Sequence, residues 1–573
     1  MKILVQLLFI VFVMIVPALS HSADGSYFVT QTGSGSGNGS LKEPYSVTQF
    51  NDLTGNYGGK IFYFSGEINS ELKPRISGSI GKPVVLDGYK AGDCQTCDGT
   101  WPGACDGNTA VIDRNGGSYG IRLSSANEHI VIQDFEITDT VIGVAGWNDY
   151  ENITVKRCYF HDSPNQNGSR AVYFTYTDGA GSNITIGGSE CNGIIAKDIG
   201  VDTGCADIEI YGGYSDHASD IVISYNHLYA TRTDRGIDGI TLIRTEKFLI
   251  EYNKIHDHND SVGGGDAENS IDIKGGCSNG IIRFNEMYNQ LSTTEPALII
   301  QTGDGLGQAT HDIFIYGNMV RDNEFGIVAA YPRYINSTAQ GPIYNIYIWS
   351  NVVVNNKISG ISMFKDSGAD NYDKIYIYNN TIVGNGYDHV NMYGNAVKIN
   401  SEATGLKSAN LSEITEYEVK NNIISNNRPE KTDSRQAYFS DISKISLDGN
   451  QYYHPNDSAI IYNGSTDRNP KIYDANGEIS DPGLKADYTL KASSPCSNLV
   501  GTVGTVNIQG TAYVMNWKTA LHPSTDFTKV LSGNSAIKTV ERPETGMWDK
   551  GAYYLSDNFL KAPLGIIVVG SNQ

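Results

Sequence analysis

Through the middle of the chain, two apolar residues recur at positions i and i+2, with Asn at i+5. The pattern reads IVISYN from Ile221, FLIEYN from Phe248, GIIRFN from Gly280 (where Gly replaces the first apolar residue) and IFIYGN from Ile313, then IYIWSN from Ile346, IYIYNN from Ile375 and YEVKNN from Tyr417. Copies without the Asn begin at Ile130, Ile153 and Ile184. The second apolar residue marks a column: Ile132, Val155, Ile186, Ile223, Ile250, Ile282, Ile315, Ile348, Ile377, Val419 and Leu447. Its steps run from 23 residues (Ile132 to Val155) to 42 (Ile377 to Val419). A period of two is that of a strand, whose alternate side chains share a face. A second strand pattern precedes each copy, as in DIEIYGG near Ile208, GITLIRT near Ile240, SIDIKGG near Ile271, ALIIQTG near Leu298, GISMFKD near Ile361 and NAVKINS near Val397. No amphipathic helical pattern fills the gaps.

Strand pairs repeating at this spacing predict the coils of a parallel β-solenoid, because one coil cannot bury its apolar face alone and a stack can. The predicted fold is all-β: a single right-handed parallel β-helix of about eleven coils, which at ~4.8 Å per coil makes a rod about 50 Å long. It spans residues 116–455, with an N-terminal cap and first coils over 21–115 and a C-terminal closing segment over 456–573. Asn226, Asn253, Asn285, Asn318, Asn351, Asn380 and Asn422 should stack coil upon coil, amide to amide. Asn tolerates the left-handed conformation, so it is also the predicted turn residue. A propeller would need hairpin turns of NG or DG type, and few stand at the required spacing.

Composition agrees with strands and turns: 63 Gly and 36 Tyr in 573 residues, with 18% charged. The net charge of −21 argues against a nucleic-acid binder. Residues 1–20 read as a secretory signal peptide, with Lys2, an apolar run from Ile3 to Val16, and small Ala18 and Ser20 before the cut. Export and the absence of any other membrane-spanning run place the mature protein outside the cytoplasm, where cysteines can pair. Cys94, Cys97 and Cys105 crowd one segment, which reads as a disulfide loop more readily than as a metal site lacking its fourth ligand. Nothing points to an oligomer, so a monomer is expected.

The coils resemble the right-handed parallel β-helix superfamily of pectate-lyase-like secreted polysaccharide enzymes. The segment LKPRISGSIGKPVVLDGYKAG followed by TAVID resembles that superfamily's opening segment. SDPGLKADYTLKASSPCSNLVG and GMWDKGAYYLS resemble the closing segment of exported β-helix proteins. The resemblance implies a fold more strongly than a chemistry.

Candidate chemistry concentrates on one outward face. Its first column reads Arg122, Ala145, Tyr173, Glu209, Thr241, Asp272, Ile299, Val328, Ser362 and Lys398. Its second reads Ser124, Trp147, Thr175, Tyr211, Ile243, Lys274, Gln301, Ala330, Phe364 and Asn400. One coil alone carries two charges here, Asp272 and Lys274, two residues apart and so on the same side. The flanking turns add Asp234, Arg235 and Asp238, then Asp260, Asp266 and Glu268, then Glu295. Carboxylates this dense repel unless neutralised, and Ca²⁺ favours such an oxygen-rich set. Asp238, Asp266, Glu268 and Asp272 are the candidate ligands.

Lyases of the resembled superfamily cleave uronic-acid polymers by β-elimination, and this implies a calcium-assisted polysaccharide lyase acting on an acidic polysaccharide. Lys274 is then the candidate base, and Arg235 or Arg244 holds a substrate carboxylate or the leaving oxygen. Trp147, Tyr211, Gln301 and Tyr331 are candidate substrate contacts, the aromatic rings as stacking surfaces for sugars. The WiDH-type and RxPxxR motifs of the best-known calcium pectate lyases are absent. So are the GHG and RIK motifs of polygalacturonases and the DPH-type signature of uronan epimerases. The alternatives are a non-catalytic surface adhesin or carbohydrate-binding β-helix and, behind it, a glycoside hydrolase or epimerase. In the plainest reading, Asp272 and Lys274 form a solvated ion pair worth under about 1 kcal/mol. Asp202, Asp207, Glu209 and Asp216 read as solvated, and His256 and His258 as a surface turn.

Overall fold

The computed structural model describes residues 25–34, 37–88, 110–124, 127–148, 150–164, 168–176, 181–200, 206–232, 234–235, 238–260, 269–290, 295–302, 307–329, 341–364, 372–387, 404–409, 414–427, 435–439, 441–456, 458–463, 465–496, 500–501, 519–542 and 547–554. The expected signal peptide at residues 1–20, the Cys94–Cys105 segment, Asp266, Glu268 and Tyr331 lie outside them.

Among the described residues, the central coils have three strands each. In one coil these are Asp238–Ile243, Thr245–Glu251 and Lys254–His256, and each pairs in parallel with its counterparts in the coils before and after. The middle strands build a 15-stranded sheet running from the N-terminal residues to Ser446–Asp448. The predicted marker column pairs without a slip, from Ile132 with Val155 to Val419 with Leu447. The sheet also extends N-terminally past this column: Ser26–Thr30, Ile61–Phe64 and Val84–Asp87 are already members of it. Parallel strands joined by crossovers wind right-handed almost without exception. The fold is the right-handed parallel β-helix. Among the described residues, no helix is long and apolar enough to cross a membrane.

The interior is a stack of β-branched side chains. Ile223, Ile250, Ile282, Ile315, Ile348 and Ile377 are all fully buried, each worth roughly 1.5–3 kcal/mol of transfer free energy. Between the second and third strands runs the asparagine ladder. Each Nδ2 donates to the next Oδ1 at 2.9–3.0 Å, from Asn226 through Asn253, Asn285, Asn318, Asn351, Asn380 and Asn422 to Asn450. Asp474 closes the ladder, its carboxylate accepting from the backbone N–H groups of Gly449 and Asn450 and from the Asn450 amide.

The ladder residue is not the left-handed one. Positive φ falls on the residue before it: Tyr225 (62°), Tyr252 (54°), Phe284 (57°), Ser350 (53°) and Asn379 (53°). An aromatic residue there costs roughly 1–2 kcal/mol. The ladder's hydrogen bonds offset that cost, and so does ring packing, since Tyr225 stacks on Tyr252 with centroids 4.9 Å apart and Tyr252 meets Phe284 at 5.3 Å.

A second ladder was not foreseen. It follows the third strand and runs Gln290, Asn323, Asn356, Asn385, Asn427 and Gln436. The strand expected near Val397 lies outside the described residues. Its place in the first sheet is taken by Thr404–Ala409, so that Ser362 faces Lys407 rather than Lys398.

The closing segment returns along the solenoid. Leu521, Phe527, Val530, Leu531 and Tyr553 pack on Tyr252, Phe284, Tyr316, Trp349 and Tyr378. The Tyr252 hydroxyl donates to Asn534 Oδ1 at 3.0 Å, and the buried Arg542 donates to Ser350 Oγ and to the Gly551 carbonyl. This segment clasps the aromatic turns. Cys158, Cys277 and Cys496 are buried.

Candidate functional site

The first strands present their alternate side chains outward, and the observed register reproduces the predicted column. Glu209 faces Thr241, Thr241 faces Asp272, and Asp272 faces Ile299. Lys274 follows Ile271–Ile273, its N–H bonded to the Leu242 carbonyl.

The Lys274 ammonium lies 3.1 Å from Asp272 Oδ2 and 3.9 Å from Asp238 Oδ2. Gln301, one coil on, donates Nε2 to both Asp272 oxygens at 2.7 and 2.8 Å. Asp238 accepts from the Thr241 hydroxyl at 2.7 Å and from the backbone N–H of Asn269 at 2.8 Å. Asp272 is buried, while the Lys274 side chain keeps 26% exposure and reaches solvent. Burial raises the Asp272 carboxyl to about 6, against the pull of Lys274. Burial alone would lower Lys274, but the attraction of Asp272, then Asp238 and Glu209, outweighs it and holds the amine above the usual lysine range. The two carboxylates thus favour the ammonium form of Lys274.

Two carboxylates from adjacent coils thus already hold one cation, the ammonium. Their oxygen chemistry suits a hard divalent ion. Among the described residues, no group of three or more His, Cys, Asp or Glu side chains could hold a metal, and the other two candidate ligands, Asp266 and Glu268, are not described.

The remaining candidates divide. Gln301, a candidate sugar contact, is buried with its amide against Asp272. Trp147 meets Tyr119 and Tyr173 edge-on at 5.0 and 6.1 Å, so these rings pack on one another across coils. The backbone of Asp234–Arg235 pairs antiparallel with Asn259–Asp260, tying successive turns together. Arg244 does not fit the role of gripping a substrate carboxylate. Its side chain is fully buried, donates Nε to the Gly212 carbonyl at 2.9 Å, and has the rings of Tyr211 and Tyr214 each 4.5 Å from its guanidinium carbon.

Two acidic residues expected in solvent are buried. Glu209 accepts from Arg170 Nε at 2.5 Å. Asp207 pairs with His258 Nε2 at 3.0 Å, and burial raises its carboxyl to about 6 against the opposing His258. His256 is nearly buried as well, with its ring nitrogens against His227 and Asp257. Each decisive partner sits one or more coils away, 29 to 51 residues along the chain. The register sets Arg170 opposite Ala206 and Glu209 opposite Tyr173, so the columns did not point to the Arg170–Glu209 pair. Asp216 is exposed, as expected.

No protein-family model matches this chain, and no curated protein matches it. Among solved structures, it is similar to a GH136 lacto-N-biosidase from Eubacterium ramulus, at 16% identity and a TM-score of 0.42, over 62% of this chain and 64% of that one. It is similar to a mannuronic acid specific polysaccharide family 6 lyase from human gut microbiota, at 11% identity and 0.41, over 80% and 91%. It is also similar to the pectate lyase Pel9A, at 14% identity and 0.34, over 61% and 79%. At such identities the likeness is one of fold. The chain spans about two-thirds of the lacto-N-biosidase's length.

Proposed function

We propose that this chain is an exported carbohydrate-active enzyme that cleaves an acidic, uronic-acid polysaccharide by β-elimination, with Lys274 as the base. The reading is supported chiefly by the Lys274 ammonium lying between Asp272 and Asp238, on adjacent coils of one outward face. β-Elimination neutralises the substrate carboxylate, transfers the proton of the adjacent carbon to a base, and expels the glycosidic oxygen. Bound at Asp238 and Asp272, with Asp266 and Glu268 as further ligands, calcium would supply the charge that neutralises that carboxylate. With calcium bound there, Lys274 would share its two carboxylates and lose part of the pull that favours its ammonium form. Its free amine takes the proton from carbon, Gln301 keeps Asp272 in place, and Arg235 is the candidate to steady the leaving oxygen.

A hydrolase is the second reading. Glu209 and Asp272 share one outward column two coils apart, roughly 10 Å of backbone, near the spacing of an inverting carboxylate pair. Burial keeps the Asp272 carboxyl high, as a general acid requires.

One experiment separates them. The protein without its leader is incubated with polygalacturonate, alginate and a glycosaminoglycan, with calcium or with EDTA. Ultraviolet absorbance from a new carbon–carbon double bond, abolished by EDTA, is the expected result. New reducing ends without that absorbance assign the site to hydrolysis. No change on any polymer leaves a binding protein.

A further inference from the structure

Among the described residues, the large apolar side chains left exposed are Leu41, Ile80, Tyr214 and Ile472. Tyr214 is the aromatic one, 61% exposed, and it is held in place from two sides. Its carbonyl accepts from Gln308 Nε2 at 3.1 Å, 94 residues further along the chain. Its ring lies on the Arg244 guanidinium, 4.5 Å from centroid to carbon, and Tyr211 lies at the same distance from that carbon.

Arg244 is itself pinned. It is fully buried, bonded to Gly212, and left-handed at φ 48°. The space beside it depends on Gly276, where a Cβ would come within 2.9 Å of Arg244 Cγ and 2.5 Å of Gln308 Oε1. An arginine buried under a tyrosine costs desolvation and side-chain entropy. What this support maintains is a ring with one face on a cation and the rest open to water.

We infer that Tyr214 is a stacking platform for a pyranose ring, a saccharide subsite on the same face as Lys274. An exposed, immobilised aromatic face matches the C–H face of a sugar and adds little ordering cost on binding. Tyr211, which shares the Arg244 guanidinium with it, stands in the same outward column as Lys274, two coils earlier. That is about 10 Å along the solenoid axis. A glycosyl unit is about as long as one coil is high, so a chain lying along this face places sugars at both points. Arg244 is the positioning residue and does not touch the sugar.

The inference deepens the reading of this face as a polysaccharide site, and its test separates the two. Wild type, Tyr214→Ala and Tyr214→Phe are compared on an array of neutral and acidic glycans, then by titration calorimetry with long and short oligomers of any glycan bound. Tyr214→Ala should weaken the long oligomers about tenfold, and Tyr214→Phe should restore binding. The loss should vanish for oligomers too short to reach Tyr214 from Lys274. If a polymer is cleaved, KM should rise by the same factor. Equal binding by wild type and Tyr214→Ala overturns the platform and leaves the enzyme reading standing. Binding that depends on Tyr214, with no polymer cleaved, upholds the platform and removes the enzyme reading. A wild-type protein that binds no glycan overturns the platform outright.

Discussion

The turn ladder and the outward charge cluster are both stacks of polar side chains out of water, yet they are built on opposite terms. From Asn226 to Asn450 each neutral amide gives and takes with its neighbours, and the series ends on a carboxylate that is itself well supplied with donors. Every rung resembles the next, so the ladder specifies coil spacing and nothing local. At Asp272 and Lys274 the stack happens once. Charges replace amides, one carboxyl is held well above its usual range, and the ammonium still reaches solvent. Repetition marks the polar groups that hold the fold. The break in repetition marks those that could act.

Four perturbations should sharpen that contrast, and the largest effect belongs to the cluster. Lys274→Met should reduce turnover about 10³-fold, the scale of a lost general base. It also leaves Asp272 unpaired, so stability should drop. Adding Asp272→Asn should recover stability in a denaturant titration without recovering activity. In the ladder the outcome reverses. Asn318→Ala takes away the side-chain acceptor of the Asn285 N–H, one acceptor of the Asn285 amide and the side-chain donor to the Ile282 carbonyl. It should cost about 3 kcal/mol, while turnover per folded molecule stays near wild type.

The third concerns pH. Asp207 has its carboxyl raised from 3.8 to about 6, so the folded state binds a proton more tightly than the unfolded chain. Its contribution to stability is fully present below pH 3.8 and is lost as pH rises through about 6. Asp272 acts in the same window. Wild-type stability should therefore fall between roughly pH 4 and 6 through these two groups, and Asp207→Asn should remove on the order of 2 kcal/mol of that fall. Unfolding midpoints at several pH values check it. The smallest effect is the control. Lys471→Ala breaks an exposed pair with Glu478 at 3.3 Å and should change stability by less than about 0.5 kcal/mol.

What the sequence made legible follows the same division. The interior column and the outward register were readable because a period of two and a recurring Asn are local signals. The placement of Glu209, Thr241, Asp272 and Lys274 on neighbouring coils came directly from them. The second ladder was less visible because it begins with Gln290 and sits after short third strands of three residues, such as Glu286–Tyr288. The left-handed aromatic turns ran against propensity: Tyr225 and Tyr252 hold positive φ because the ladder and the returning C-terminal segment over-determine them. The partners of Asp207, Glu209 and Arg244 were hidden for another reason. Burial of a charge depends on what lies one coil away and across a turn, and no local pattern records that. Tyr211 was picked out by its column. Tyr214 lies in a turn and was found from the guanidinium beneath it.

The central claim is that the interruption at Asp272 and Lys274 does chemistry. The most direct measurement compares wild type with Lys274→Met, each confirmed folded by its unfolding midpoint, for formation of unsaturated uronide product on polygalacturonate and alginate in calcium. The account predicts product from wild type and about 10³-fold less from the variant. Equal rates from the two proteins would contradict it.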